Sequence, residues 1–112
     1  MKVFPWMRVE AQKAEEGAEG VSVRWLLTKR DGAENFYMRL FEIEPGGHTP
    51  LHSHPWEHEV FVLKGSGVVI GGGETAGFIA GDVVFLPAGE THQFKNTDKE
   101  TVRFLCFIPA VQ

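Results

Sequence analysis

Between residues 21 and 109 the longest extended-looking run is nine residues, and turn signals separate the runs. This punctuation constrains the fold more than any other feature of the chain. The runs are "VSVRWLLTK" (21–29), "FYMRLFEIE" (36–44), "HEVFVLKG" (58–65), "GVVI" (67–70), "VVFLP" (83–87), "HQFKN" (92–96) and "TVRFLCFIP" (101–109). β-branched and aromatic residues dominate them, and such side chains suit a pleated, half-buried surface. Between them lie "DGAEN", "PGG", "GGGE", "PAGE" and "NTDKE", whose Gly, Pro, Asn and Asp favour turn conformations. "PGG" (45–47) is expected to stop the second strand, and "TAGFIAGD" (75–82) reads as short and broken. Residues 9–20 have helix formers but little apolar periodicity, so they read as a polar loop or one marginal turn. Many short strands at close spacing predict an all-β sandwich or barrel. The chain's 112 residues fit one domain.

Composition narrows the function classes. The net charge is -4 and no basic run occurs, so the electrostatic footprint of a nucleic-acid binder is absent. No apolar stretch approaches the ~18 residues of a membrane helix. The N-terminus has no signal-peptide core, and the single cysteine, Cys106, cannot form an intrachain disulfide; both point to a cytoplasmic protein.

Several strands are apolar on both faces. Phe36, Met38 and Leu40 share one parity, with Tyr37, Phe41 and Ile43 on the other. Val102, Phe104, Cys106 and Ile108 likewise alternate with Arg103, Leu105 and Phe107. A small barrel filled by side chains needs apolar residues only inside. Apolar outer positions predict that the outside is covered too, and a second copy is the simplest cover, giving a homodimer. Two packed sheets in a monomer would also account for them.

The chemistry concentrates in "HSHPWEHEV" (52–60), three histidines in seven positions, with His48 just upstream. In an extended chain, residues two apart face the same way. His52 and His54 then point together, with Cβ atoms ~7 Å apart, close enough to share an ion. His58 opens the next strand and can point back to the same place, and His92 opens another. A lone HxH on a surface loop is ordinarily just solvated. The helical HExxH zinc-protease pattern fails because Pro55-Trp56-Glu57 lies between His54 and His58. A structural zinc finger fails for want of cysteines.

The glycines and prolines complete a pattern. The chain resembles the cupins, whose two motifs are G-x5-H-x-H-x3,4-E-x6-G and G-x5-P-x-G-x2-H-x3-N. The second matches as Gly81, Pro87, Gly89, His92 and Asn96. The first matches as Gly46, His52, His54 and Gly65, with His58 where the glutamate usually stands. Glu59 would fit the longer spacer, but the closing glycine would then fall on Ser66. Neighbouring residues of a strand face opposite sides, so only one of His58 and Glu59 can reach the site, and His58 is the choice. The resemblance implies a small cupin jelly-roll barrel (a double-stranded β-helix) as a single domain. Its core would span about 36–109, preceded by an N-terminal strand or arm over about 1–30. "MRLFEIEPGG", "HSHPWEHEVFVLKG" and "FLCFIP" are similar to the small manganese-binding cupins of thermophilic bacteria that use four histidines.

The resemblance implies a mononuclear divalent metal held by His52, His54, His58 and His92. Imidazole suits zinc, copper, iron and nickel. Manganese comes first by resemblance, then iron, then nickel, copper or zinc. Four neutral ligands leave the ion its full charge, and an octahedral ion would keep two positions open for substrate or dioxygen. The pocket residues expected are Arg39, Phe94, Phe104, Cys106 and Ile108, for each of which barrel core or surface is the plainer role. Arg39 either holds a substrate carboxylate or snorkels to solvent. Glu57 could orient a histidine, and His48 reads as a loop residue. The expected activity is a metal-dependent dioxygenase acting on a small organic substrate. A non-catalytic small-ligand or metal-binding module is the second reading, and a non-oxidative isomerase or lyase the third.

Overall fold

The computed structural model describes residues 1–110. Among them are nine strands: β1 (Gln12–Lys13), β2 (Glu19–Leu27), β3 (Phe36–His48), β4 (His58–Lys64), β5 (Ser66–Gly71), β6 (Glu74–Ile79), β7 (Val83–Leu86), β8 (His92–Asn96) and β9 (Val102–Pro109). Two single turns of 3-10 helix, Trp6–Arg8 and Lys29–Asp31, are the only helical pieces among the described residues. No helix there is long and apolar enough to cross a membrane.

All the strands join one curled, antiparallel sheet in the order β6-β5-β8-β3-β9-β4-β7, with β2 on β3 and β1 on β2. The long β3 is the hinge of this arrangement. Its first part pairs with β9 from Phe36↔Pro109 to Ile43↔Val102, and its last residue, His48, pairs with Lys95 of β8. One strand thus ties together the two halves of an all-β barrel.

Strand parity decides what goes inside. In β9 Val102, Phe104, Cys106 and Ile108 are buried and the residues between them half-buried. In β4 His58, Val60 and Val62 are buried while Glu59, Phe61 and Leu63 are exposed. In β8 His92, Phe94 and Asn96 point in. Phe104, Ile43, Val62 and Val102 are almost wholly enclosed, each worth about 1.5–3 kcal/mol of apolar burial. Asn96 turns a motif position into a clamp. Its side-chain N–H groups donate to the carbonyls of Ile43 (2.8 Å) and Glu100 (2.9 Å), and its Oδ1 accepts from the Asp98 N–H (2.7 Å). Gly65, at φ +87°, ends β4 where a Cβ would sit 2.9 Å from Val102 and 3.0 Å from the Thr101 carbonyl.

Two expectations need correction. "PGG" does not end the second strand. β3 runs on to His48, and residues 44–47 arch out between the pairs Val21↔Ile43 and Glu19↔His48. Residues 9–20 are not merely loop, because Gln12 and Lys13 pair with Val23 and Ser22, and β2 already begins at Glu19. The N-terminal segment lies against Arg24 of β2 and Arg103 of β9. Arg24 on β2 donates to the carbonyls of Met7 (3.2 Å) and Val9 (2.7 Å), and Arg24 and Arg103 lie on the Trp6 ring. Among the described residues the outer face of β4 and β7 is open: Phe61, Leu63, Val83 and Phe85 are exposed.

Candidate metal centre

The first motif brings its histidines inward through a short irregular segment rather than a strand. His52 makes an isolated bridge to His92: the His92 N–H donates to the His52 carbonyl at 2.8 Å and the reverse bond is 3.1 Å. Gly89, at φ +79°, donates its N–H to the His54 carbonyl at 2.7 Å. A left-handed backbone is available to glycine without steric cost. The second motif therefore holds the first in place through its backbone, a physical reason for the fixed spacing of both.

The four imidazoles meet. Ring centroids are 4.4 Å apart for His52–His54, 4.9 Å for His52–His92, 4.8 Å for His58–His92 and 5.3 Å for His54–His58. His52, His54 and His92 each offer a ligand atom within 4.8 Å of the others'. His58 is the outlier: its ring packs against His54 and His92, but its nitrogens do not join that tighter group. It is nonetheless buried, its Nδ1 has no hydrogen-bond partner, and Glu59 faces out.

Two histidines have their second nitrogen engaged. His92 Nδ1 donates to the Glu90 carbonyl at 2.9 Å, and His52 Nδ1 lies 3.0 Å from Glu15 Oε1. Both contacts place the proton on Nδ1 and leave the Nε2 lone pair free, the form a metal ligand needs. His54 stacks flat on Trp56, centroids 4.7 Å apart. Burial lowers the pKa of His52 and His54 from the ordinary value, with Glu15 opposing the shift in both. Burial, then the neighbouring His92 and Arg39, pushes His58 down to about 3. These groups are held neutral at pH 7, so they can act as donors rather than repel a cation. An orphaned imidazole nitrogen inside a cluster of neutral imidazoles fits a divalent ion.

The cluster lines one side of a cavity of about 450 Å³. Phe94, Phe104, Cys106 and Ile108 line it, as does Arg39. Phe94 stacks on Phe104 (4.7 Å) and Phe104 on Phe41 (5.2 Å), forming an apolar wall. Arg39 points inward rather than snorkelling: its Nη2 donates to Cys106 Sγ at 3.1 Å. Burial raises the pKa of Cys106, so that sulfur is a neutral thiol. His48 lies apart, its Nδ1 donating to the Thr49 carbonyl at 3.1 Å.

Glu57 is exposed, and the carboxylate that reaches the cluster is Glu15. Glu15 sits between β1 and β2, 37 positions before His52, in a polar stretch with no motif to announce it. Trp25 and Phe41 were also missed as lining. Parity could have found Phe41, two residues after Arg39 on the same face, and register could have found Trp25, opposite Arg39.

Comparison with known proteins gives consistent matches. The model of the Cupin_2 family, a cupin domain, matches residues 39–108. A 1-methylthio-D-xylulose 5-phosphate methylsulfurylase of Rhodospirillum rubrum is 34% identical over 108 residues, covering 96% of this chain and 69% of that protein. An oxalate-binding protein of Thermotoga maritima is 36% identical over 97 residues, covering 82% and 78%. Among solved structures, a polyketide cyclase of Streptomyces resistomycificus superposes with a TM-score of 0.91 at 38% identity, covering 98% of this chain and 80% of that one.

Proposed function

The chain belongs to the Cupin_2 family of cupin domains, and from that premise we propose that His52, His54, His58 and His92 hold one divalent metal ion that works on a small organic substrate bound in the adjoining cavity. The observation that carries this reading is the cluster itself: imidazoles kept neutral by burial, opening onto an apolar cavity rather than sealed in the core. A closed structural site would have no such opening. Likeness to four-histidine manganese cupins puts manganese first, followed by iron, then nickel, copper or zinc.

The ion would supply Lewis-acid or redox chemistry at the histidine end. The chain's own residues do the rest. Glu15 and the Glu90 carbonyl fix the ring orientation of His52 and His92. Phe41, Phe94 and Phe104 keep one wall of the cavity dry and select an apolar substrate body. We read the reaction as an oxygenation by dioxygen. Among the relatives, one protein is named for a cyclase activity and another for oxalate binding, which supports non-oxidative turnover or simple ligand capture as the second reading. Oxygen-electrode assays of the manganese- and iron-loaded protein with a panel of small aromatic acids and enediols separate them. Substrate-dependent oxygen uptake supports the oxygenase. Product formation at the same rate without oxygen, or tight binding without product, moves the assignment to the second reading.

A further inference from the structure

Arg39 is a cation placed inside a cavity with no anion to meet it. It stands directly opposite Trp25 on β2 and Cys106 on β9. Its guanidinium lies 5.2 Å from the Trp25 ring centroid and 4.9 Å from that of Phe41. Among the described residues no carboxylate comes within ion-pairing distance of it, and its Nε is buried without a hydrogen-bond partner. The one acceptor it reaches is the neutral Cys106 thiol, and a thiol sulfur is a weak acceptor. The other charged lining residues are Lys13 and Glu15, and Glu15 is already engaged by His52. The cavity is thus short of negative charge even before an ion is added. A partly buried charge without a partner is costly, and an incoming anion relieves the cost.

From this geometry we propose that Arg39 is the anion anchor of the cavity and that its ligand is a small organic carboxylate with an aromatic or apolar body. The two rings cover the guanidinium and leave its edge, where planar N–H donors match the two oxygens of a carboxylate. A tetrahedral phosphate dianion fits less well, because a single guanidinium with one N–H already engaged offers it too few donors. The stacked Phe41, Phe104 and Phe94 continue from Arg39 along the wall and give an apolar body its surface. This assignment rests on the reading of the cavity as the substrate site; it names the substrate class and the residue that selects it.

Benzoate is the probe, and benzamide its neutral isostere. Binding is measured by tryptophan fluorescence and calorimetry on the full chain, in chelator-treated and in manganese-loaded form, for the wild type, Arg39→Gln and Arg39→Lys. Metal content is measured in each sample. The wild type should bind benzoate in the chelator-treated form at least ten-fold more tightly than benzamide. Arg39→Gln should lose about ten- to hundred-fold in benzoate affinity with benzamide affinity and metal content unchanged, and Arg39→Lys should recover only part of the loss. If Arg39→Gln does not fold, the wild-type Arg39 Nε–H signal in NMR decides: it should shift on adding benzoate and stay still with benzamide. Equal benzoate binding by wild type and Arg39→Gln, equal affinity for benzoate and benzamide, no benzoate binding, or displacement by inorganic phosphate at lower concentration than by benzoate would each overturn the assignment. Benzoate failure in protein that still takes up metal leaves the metal centre standing. Benzoate binding in protein that takes up none removes the metal reading and keeps the anchor.

Discussion

Acidifying the metal-free protein should destabilise it well before its carboxylates titrate. Free histidine protonates near 6.5, whereas folded His58 resists a proton until about 3. Between those values the unfolded chain takes up a proton that the folded chain refuses, so stability falls as the pH falls. Above 6.5 neither state is protonated at His58 and its contribution is flat. The slope approaches about 1.4 kcal/mol per pH unit for one such group. From pH 6.5 to pH 5 His58 alone therefore removes at most about 2 kcal/mol, an upper bound because water enters the cavity and screens the charge. The lowered pKa values of His52 and His54 add losses of the same sign. A small domain has only about 5–15 kcal/mol in total, and each kcal/mol moves its Tm by about 4–8 °C. Urea unfolding of chelator-treated protein at pH 7.5, 6.5, 5.5 and 5.0 measures the slope. The depressed Asp31 and Asp98 pKa values act only at still lower pH, so they do not confuse this window. His58→Gln should flatten its share of the slope. Stability that is constant from pH 7 to pH 5, or that rises on acidification, would refute the claim that burial holds these imidazoles neutral.

Glu15→Gln should weaken metal affinity by about ten-fold, the usual scale for a group that orients a ligand through its far nitrogen; competitive chelator titration measures it, and unchanged affinity would mean that Glu15 merely rests on His52. The open face of β4 and β7 is the expected seat of a second copy, since exposed apolar side chains gathered on one face commonly mark an interface. Sedimentation should show a homodimer that Phe85→Asp converts to a folded monomer, and a monomeric wild type would count against it.

The barrel was legible because its strands announce themselves by composition and their inner faces by parity. His58 and Glu59 are one residue apart, and alternation alone decides that the histidine turns inward and the glutamate outward. Local signals failed where the third dimension decides. "PGG" looks like a stop, yet β3 continues past it because β2 lies alongside to receive His48. Glu15 carries no motif, and only the pairing of β1 with β2, which sets residues 12–15 along the cavity, brings it to His52. The outer apolar residues of β3 and β9 call for a cover, but nothing in their spacing says what provides it. Arg39 showed as an oddity, a charge in an apolar run, while the rings beside it come from register and parity acting together.

How much metal the chain holds, and which histidines hold it, tests the four-histidine centre most directly. Elemental analysis of protein loaded with manganese and freed of excess should find one ion per chain in the wild type. His54→Ala should hold less than about a tenth of that after the same treatment, with a circular dichroism spectrum that still reports the folded barrel. Metal retained in full by folded His54→Ala, or no metal retained by the wild type, would contradict the central claim.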